Sequence, residues 1–224
     1  MAKHLHRELE KLKKRVLSLG ALVEERVRMV LKAIESRDAA VAEKIIKMDY
    51  EIDESEVEVE EECLKILALH QPVAVDLRFL IAVIKINNDL ERIGDEAANI
   101  AQCVHYMAKR EKVDVPFEYS VMGEEAQAML KMSLDALVNL DLDLAFQVLT
   151  MDDSVDDKYG EIYDQVKGLI LDNSKRVGYM INLFLVARHL ERIADHATNI
   201  AEEVIYMIEG EIVRHGKWDH PPMD

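Results

Sequence analysis

Eight acidic residues stand at a spacing suited to cation chemistry. Glu91 and Asp95 are four apart, and so are Glu191 and Asp195, Asp49 and Asp53, and Asp152 and Asp156. Residues four apart on an α-helix stack on one face. Two carboxylates so placed repel unless a proton or a cation neutralises them. All the donors are oxygens, with no thiolate among them, which suits hard cations: Mg²⁺, Ca²⁺, Mn²⁺ or iron. A lone pair of this kind usually marks a solvated helix face. Here the pairs come in two matching sets, which shifts the balance towards metal binding.

The matching sets belong to a longer repeat. Leu90-Glu-Arg-Ile-Gly-Asp-Glu-Ala-Ala-Asn-Ile-Ala101 returns as Leu190-Glu-Arg-Ile-Ala-Asp-His-Ala-Thr-Asn-Ile-Ala201, one hundred residues later, with nine of twelve positions identical. Self-similarity at a fixed offset indicates two copies of one supersecondary unit. Much of what repeats is polar: Glu91/Glu191, Arg92/Arg192, Asp95/Asp195 and Asn99/Asn199. Packing needs only the apolar positions, so a shared polar task is expected. Arg92 and Arg192 read first as intramolecular ion-pair partners. Asn99 and Asn199 could orient a ligand from behind. His189 and His196 replace Asp89 and Glu96 of the first copy, so the two sites need not bind a metal equally.

The elements that must position these acids read as helices. Half of the residues are hydrophobic but only 5% are aromatic, with four prolines and eight glycines in 224 residues. That profile favours helices over sheets. Leu5, Leu9, Leu12, Val16, Leu19, Val23 and Val27 recur every three or four residues through a first helix ending near Arg37. Asp38 is a natural N-cap for a second helix over 39–69. His70-Gln-Pro72 stops that helix, and a third runs over 73–111. After a linker at 112–118 the pattern begins again, with helices over 119–140, 141–172 and 175–209, a joint at Asn173-Ser174 and a terminator at Gly210. The expected fold is all-α: one antiparallel three-helix bundle over 1–111, a second over 119–212, and a loose tail over 213–224.

Folding each hairpin brings the acids together. Asp53 and Glu91 lie equally far from Pro72, and so do Asp49 and Asp95. In the second half the corresponding midpoint of both pairs falls between Asn173 and Ser174. Each hairpin should therefore carry four carboxylates at one level, roughly 28 Å from its turn at ~1.5 Å per residue. Glu91 and Asp95 continue an apolar line through Leu77, Ile81 and Ile84, and Asp49 and Asp53 interrupt one from Ala42–Ile45 to Cys63–Leu67. Both lines favour an inward placement.

Composition excludes several functions. A formal charge of −16 opposes binding to nucleic-acid backbones. No apolar run reaches the roughly 18 residues needed to span a bilayer, and no secretory leader opens the sequence. Cys63 and Cys103 are too few for a disulfide framework and are expected reduced in the core. The expectation is a soluble cytoplasmic protein.

With the doubled Leu-Glu-Arg-Ile phrase, Gln71-Pro72 followed by Asp76-Leu77-Arg78, and the closing Glu209-Gly-Glu-Ile-Val-Arg-His215, the chain resembles the PhoU family over essentially its whole length. The resemblance implies a cytoplasmic, often dimeric, negative regulator of phosphate uptake. It would couple a phosphate ABC transporter to a sensor histidine kinase and repress the starvation response. It also implies multinuclear metal clusters, with iron foremost, held by Asp49, Asp53, Glu91 and Asp95 in one half and by Asp152, Asp156, Glu191 and Asp195 in the other. A di-iron oxidase is disfavoured because no Glu-x-x-His occurs anywhere in the sequence. A metal-dependent phosphoesterase would need a nucleophile, a base and a phosphate loop that the sequence does not present. A passive helical adaptor whose acids bind nothing stays open as the rival to a metal-binding regulator.

Overall fold

The computed structural model describes residues 2–113, 119–172 and 176–213, and every regular element in them is helical. Seven helices follow in order: α1 Ala2–Ser36, α2 Ala39–Lys47, α3 Tyr50–His70, α4 Ala74–Ala108, α5 Tyr119–Asn139, α6 Leu142–Asp172 and α7 Val177–Glu209. The expected joint at Asn173-Ser174 and nearly all of the expected tail lie outside the described residues.

Local chemistry explains most boundaries. Arg37 adopts a left-handed conformation, with φ of 52°, and Asp38 then caps α2. Its Oδ1 accepts from the amides of Ala40 at 2.8 Å and Val41 at 3.1 Å, satisfying donors that the helix leaves open. The Arg37 side chain reaches across the molecule and donates to the carbonyls of Met107 and Arg110 at the end of α4. At the far end of the hairpin Gln71 turns left-handed, and its amide bonds the carbonyl of Leu67 before Pro72. Gly210 closes α7 with φ of 81°.

One expectation needs correcting. The helix read as continuous over 39–69 breaks at Met48-Asp49 into α2 and α3. Met48 leaves helical geometry at ψ of 2°, and the next hydrogen bonds tighten to a three-residue span, from Glu51 to Met48 and from Ile52 to Asp49. The break turns the run of acids there into the N-terminal turn of a new helix, where negative charge is favoured. Its counterpart Met151-Asp152 stays inside the unbroken α6.

The two halves share one core. α4 and α7 form the most extensive helix pairing, and both bury residues around much of their circumference. They run antiparallel, and α1 packs on α5 beside them. A quasi-two-fold relation governs these contacts. Gly20 meets Leu134 while Gly123 meets Leu31; both the glycines and the leucines are 103 residues apart. The same offset relates Asp49 to Asp152 and Asp53 to Asp156. A Cβ on Gly20 would stand 2.8 Å from Leu134, and one on Gly123 2.5 Å from Leu31, so the missing side chains leave room for the tips of the facing leucines.

The expected core stripe of α1 is buried from Leu12 through Val27. Cys63 and Cys103 are free and buried, and burial pushes their thiols up to about 12 and about 11. The line ahead of Glu91 is less buried than expected: Leu77 and Ile81 are 38% and 37% exposed.

Candidate metal centres

The spacing implies four converging carboxylates in each hairpin; the structure brings three of each four together and leaves Asp49 and Asp152 outside the triads. Asp53 on α3 meets Glu91 and Asp95 on α4, each offering an oxygen within 4.8 Å of the others. Asp156 on α6 meets Glu191 and Asp195 on α7 within the same limit. Asp49 and Asp152 stand behind these triads. Each is close enough for its charge to couple to both aspartates of its own triad.

Electrostatics mark these sites as unsatisfied. Burial first, then repulsion from Asp53 and Asp95, pushes Asp49 up to about 6. Burial, then Asp156 and Asp195, does the same to Asp152, also to about 6. Glu191 rises to about 7 through burial and the neighbouring Asp195 and Asp156. Glu91, Asp95, Asp156 and Asp195 are all raised, with burial as the leading cause in each. Asp49 Oδ1, Glu91 Oε2 and Asp152 Oδ1 are buried with no hydrogen-bond partner. Buried carboxylate oxygens seldom go without a donor, and a bound cation supplies what the protein does not. The donor set therefore fits hard cations, with Asp53, Glu91 and Asp95, or Asp156, Glu191 and Asp195, as direct ligands and Asp49 or Asp152 behind. Asp53, Asp156 and Asp195 keep each triad open to solvent on one side.

The neighbours singled out in the sequence divide between two tasks. Arg92 lies 3.5 Å from both Glu91 and Asp95, which makes it an intramolecular partner of the first triad. Arg192 turns away from its own triad to Glu96, at 3.1 Å. The histidines face across α4–α7: His189 Nδ1 stands 2.5 Å from Glu96 and His196 Nδ1 2.8 Å from Asp89. Asn199 also donates to Asp89, at 3.1 Å, so it supports the helix pairing. The two acid–histidine pairs are quasi-symmetric mates, because 89 and 96 become 189 and 196 under the repeat offset. Glu96 is only 2% exposed. Burial would raise its pKa, but the His189 hydrogen bond and the positive charges around it bring it below the usual glutamate range.

Arg26 escaped the sequence reading. It is 1% exposed, and its Nη2 donates to Glu51 at 2.9 Å beside the α2–α3 break. A basic residue between Val23 and Val30 on the buried stripe of α1 was the available signal.

A doubled all-α bundle with one acidic triad between α3 and α4 and another between α6 and α7 defines a two-repeat helical protein. The PhoU domain model matches residues 16–104 and again 119–204, so the chain belongs to the PhoU domain family. It is 36% identical over 207 residues to a phosphate-specific transport system accessory protein PhoU homolog of Clostridium acetobutylicum, covering 92% of this chain and 94% of that one. To the homolog of the same name from Aquifex aeolicus it is 38% identical over 211 residues, covering 94% and 96%. Among solved structures it resembles PhoU from Pseudomonas aeruginosa, with TM-score 0.87, 35% identity and coverage of 92% of this chain and 99% of that one. The phosphate transport system regulatory protein PhoU from Streptococcus pneumoniae superposes with TM-score 0.83 and 32% identity, over 93% and 99%. The family is one of accessory and regulatory proteins of phosphate transport, not of enzymes. Among the described residues no helix is long and apolar enough to cross a membrane.

Proposed function

We propose that this protein is a cytoplasmic negative regulator of phosphate uptake and starvation signalling, acting as a homodimer between a phosphate ABC transporter and a sensor histidine kinase. The relatives' shared name, phosphate-specific transport system accessory protein, supports the transporter as partner. The long helical faces suit docking to partner helices. Within this role the two carboxylate centres hold multinuclear divalent or trivalent metal, iron foremost, with Mn²⁺, Mg²⁺ or Ca²⁺ as alternatives. The observation that carries the metal reading is the set of buried oxygens that accept no hydrogen bond, on Asp49, Asp152 and Glu91, the last with Arg92 3.5 Å away. The metals would neutralise charge that otherwise forces the hairpins apart, fixing α3 against α4 and α6 against α7.

The test is complementation. A bacterium lacking its own PhoU and carrying a phosphate-starvation reporter should be repressed in phosphate-rich medium when it expresses this chain. Continued high reporter expression, with the protein present and folded, would overturn the regulatory reading.

A further inference from the structure

The outer face of α3 carries an apolar stripe that the packing of the bundle does not use. Tyr50, Val57 and Leu64 recur every seven residues, so they lie in one line along the helix. They are 56%, 50% and 54% exposed. α3 packs on α1 and α4 through its other side, where Ile52, Val59, Cys63 and Ile66 are buried. Exposed acids border the stripe, Asp53 and Glu60 along one edge and Glu54 and Glu61 along the other. Glu54, Glu60 and Glu61 have no ion-pair partner among the described residues. Lys65, the sole lysine or arginine of α3, is tied to Glu62 at 3.1 Å. The repeat shows that the fold does not require the stripe. The offset of 103 that relates Asp49 to Asp152 sets Asp153, Gly160 and Lys167 of α6 at the places of Tyr50, Val57 and Leu64. These three are also exposed, so one surface position carries apolar side chains in one half only.

We propose that this face of α3 is a docking surface for a basic amphipathic helix of a partner protein. The inference rests on the regulatory reading for the existence of a partner, and adds the face and the chemistry of the contact. Scattered apolar side chains on a surface need no explanation, but a line of three fits the anchors of a helix laid along a helix. From Tyr50 to Leu64 the line spans roughly 21 Å at ~1.5 Å per residue, which a partner helix of about 15 residues covers. Charge selects the occupant. A second copy of α3 would bring these acids against their own kind, and an anionic membrane surface would do the same. A helix with lysine or arginine beside its apolar line instead meets unpaired carboxylates on both edges. The formal charge of −16 draws such a segment in from a distance.

The probe is a fluorescently labelled helical peptide with leucines at heptad spacing and lysines beside them. Its binding to the full-length protein is read by fluorescence anisotropy. The protein should bind it, more weakly as salt rises, and should ignore the same peptide with glutamates in place of the lysines. Val57→Ser with Leu64→Gln should weaken binding at least ~10-fold, with an unchanged circular dichroism spectrum because both positions are exposed. Glu54→Gln with Glu61→Gln should also weaken it and flatten the salt dependence. Lys167→Gln, on the matching surface of α6, should leave binding as it was. Absence of binding, equal binding of both peptides, or binding that survives loss of Val57 and Leu64 would overturn the inference. So would a dimer that the Val57→Ser, Leu64→Gln pair dissolves in light scattering, which assigns the stripe to a second copy of this chain. The complementation test decides the regulatory reading separately, because peptide binding asks nothing of phosphate signalling.

Discussion

Stripping metal should leave a protein whose stability falls as pH rises from about 5 to about 8. Asp49 and Asp152 titrate near 6 in place of 3.8, and Glu191 near 7 in place of 4.5. The folded chain thus holds protons that the unfolded chain has already released. Between the ordinary and the raised values the native state binds more protons, so unfolding free energy decreases with pH. Each shift is nominally worth about 3 kcal/mol at ~1.4 kcal/mol per pH unit. Solvent access and mutual coupling reduce this to about 1 kcal/mol per group. Part of the loss at Asp49 and Asp152 falls below about pH 5. Of about 3 kcal/mol for the three groups, roughly 2 kcal/mol should therefore be lost over that interval, a fall in Tm of about 4–8 °C for a chain of this size. Glu96 works in the opposite sense, its contribution being present above the usual glutamate range and lost in acid, but it is already ionised in both states across the interval. The assay is thermal unfolding by circular dichroism in a chelating buffer at a series of pH values, repeated with Mn²⁺. Added Mn²⁺ should abolish the fall. A Tm that is flat or rising with pH in chelator would refute the crowding of unneutralised carboxylates.

Three substitutions probe the scaffold. Asp38→Ala removes two hydrogen bonds to the first turn of α2 and should cost about 1 kcal/mol in denaturant unfolding. Gly123→Val forces a branched side chain against Leu31 at the α1–α5 crossing and should destabilise by about 1–3 kcal/mol, seen as a lower Tm. Glu96→Ala leaves His189 and Arg192 without their buried partner across α4–α7. It should cost on the order of 3 kcal/mol, against little change for Glu58→Ala, whose partner Arg15 is 47% exposed.

Much of this was legible because helical periodicity and repeat arithmetic are strong signals. Asp38 as a cap, Gly210 as a terminator and Pro72 as the hairpin centre follow from residue chemistry alone. Convergence of the acids follows from their equal distance from the turns. What escaped was set by tertiary contact. The α2–α3 break at Met48-Asp49 has no proline or glycine to announce it, and the equally acidic Met151-Asp152-Asp153 stretch of α6 runs on unbroken. Arg26 sits in an apolar stripe where a long charged side chain is ordinarily assumed to reach solvent. The role of His189 and His196 depends on α4 facing α7, a pairing between repeats that the periodicity of neither repeat contains. Leu77 and Ile81 continue the line of the acids, yet they stay 38% and 37% exposed, a degree of cover that the spacing alone does not reveal.

Metal content per chain tests the converging carboxylates most directly. Elemental mass spectrometry on the native protein, and on Asp95→Asn combined with Asp195→Asn, should find metal in the first and its loss in the second, with both folded. A native protein that is empty and stays empty after exposure to Mn²⁺, Fe²⁺ and Mg²⁺ would contradict the metal centres, and the acids would then read as a partner-facing surface of a helical adaptor.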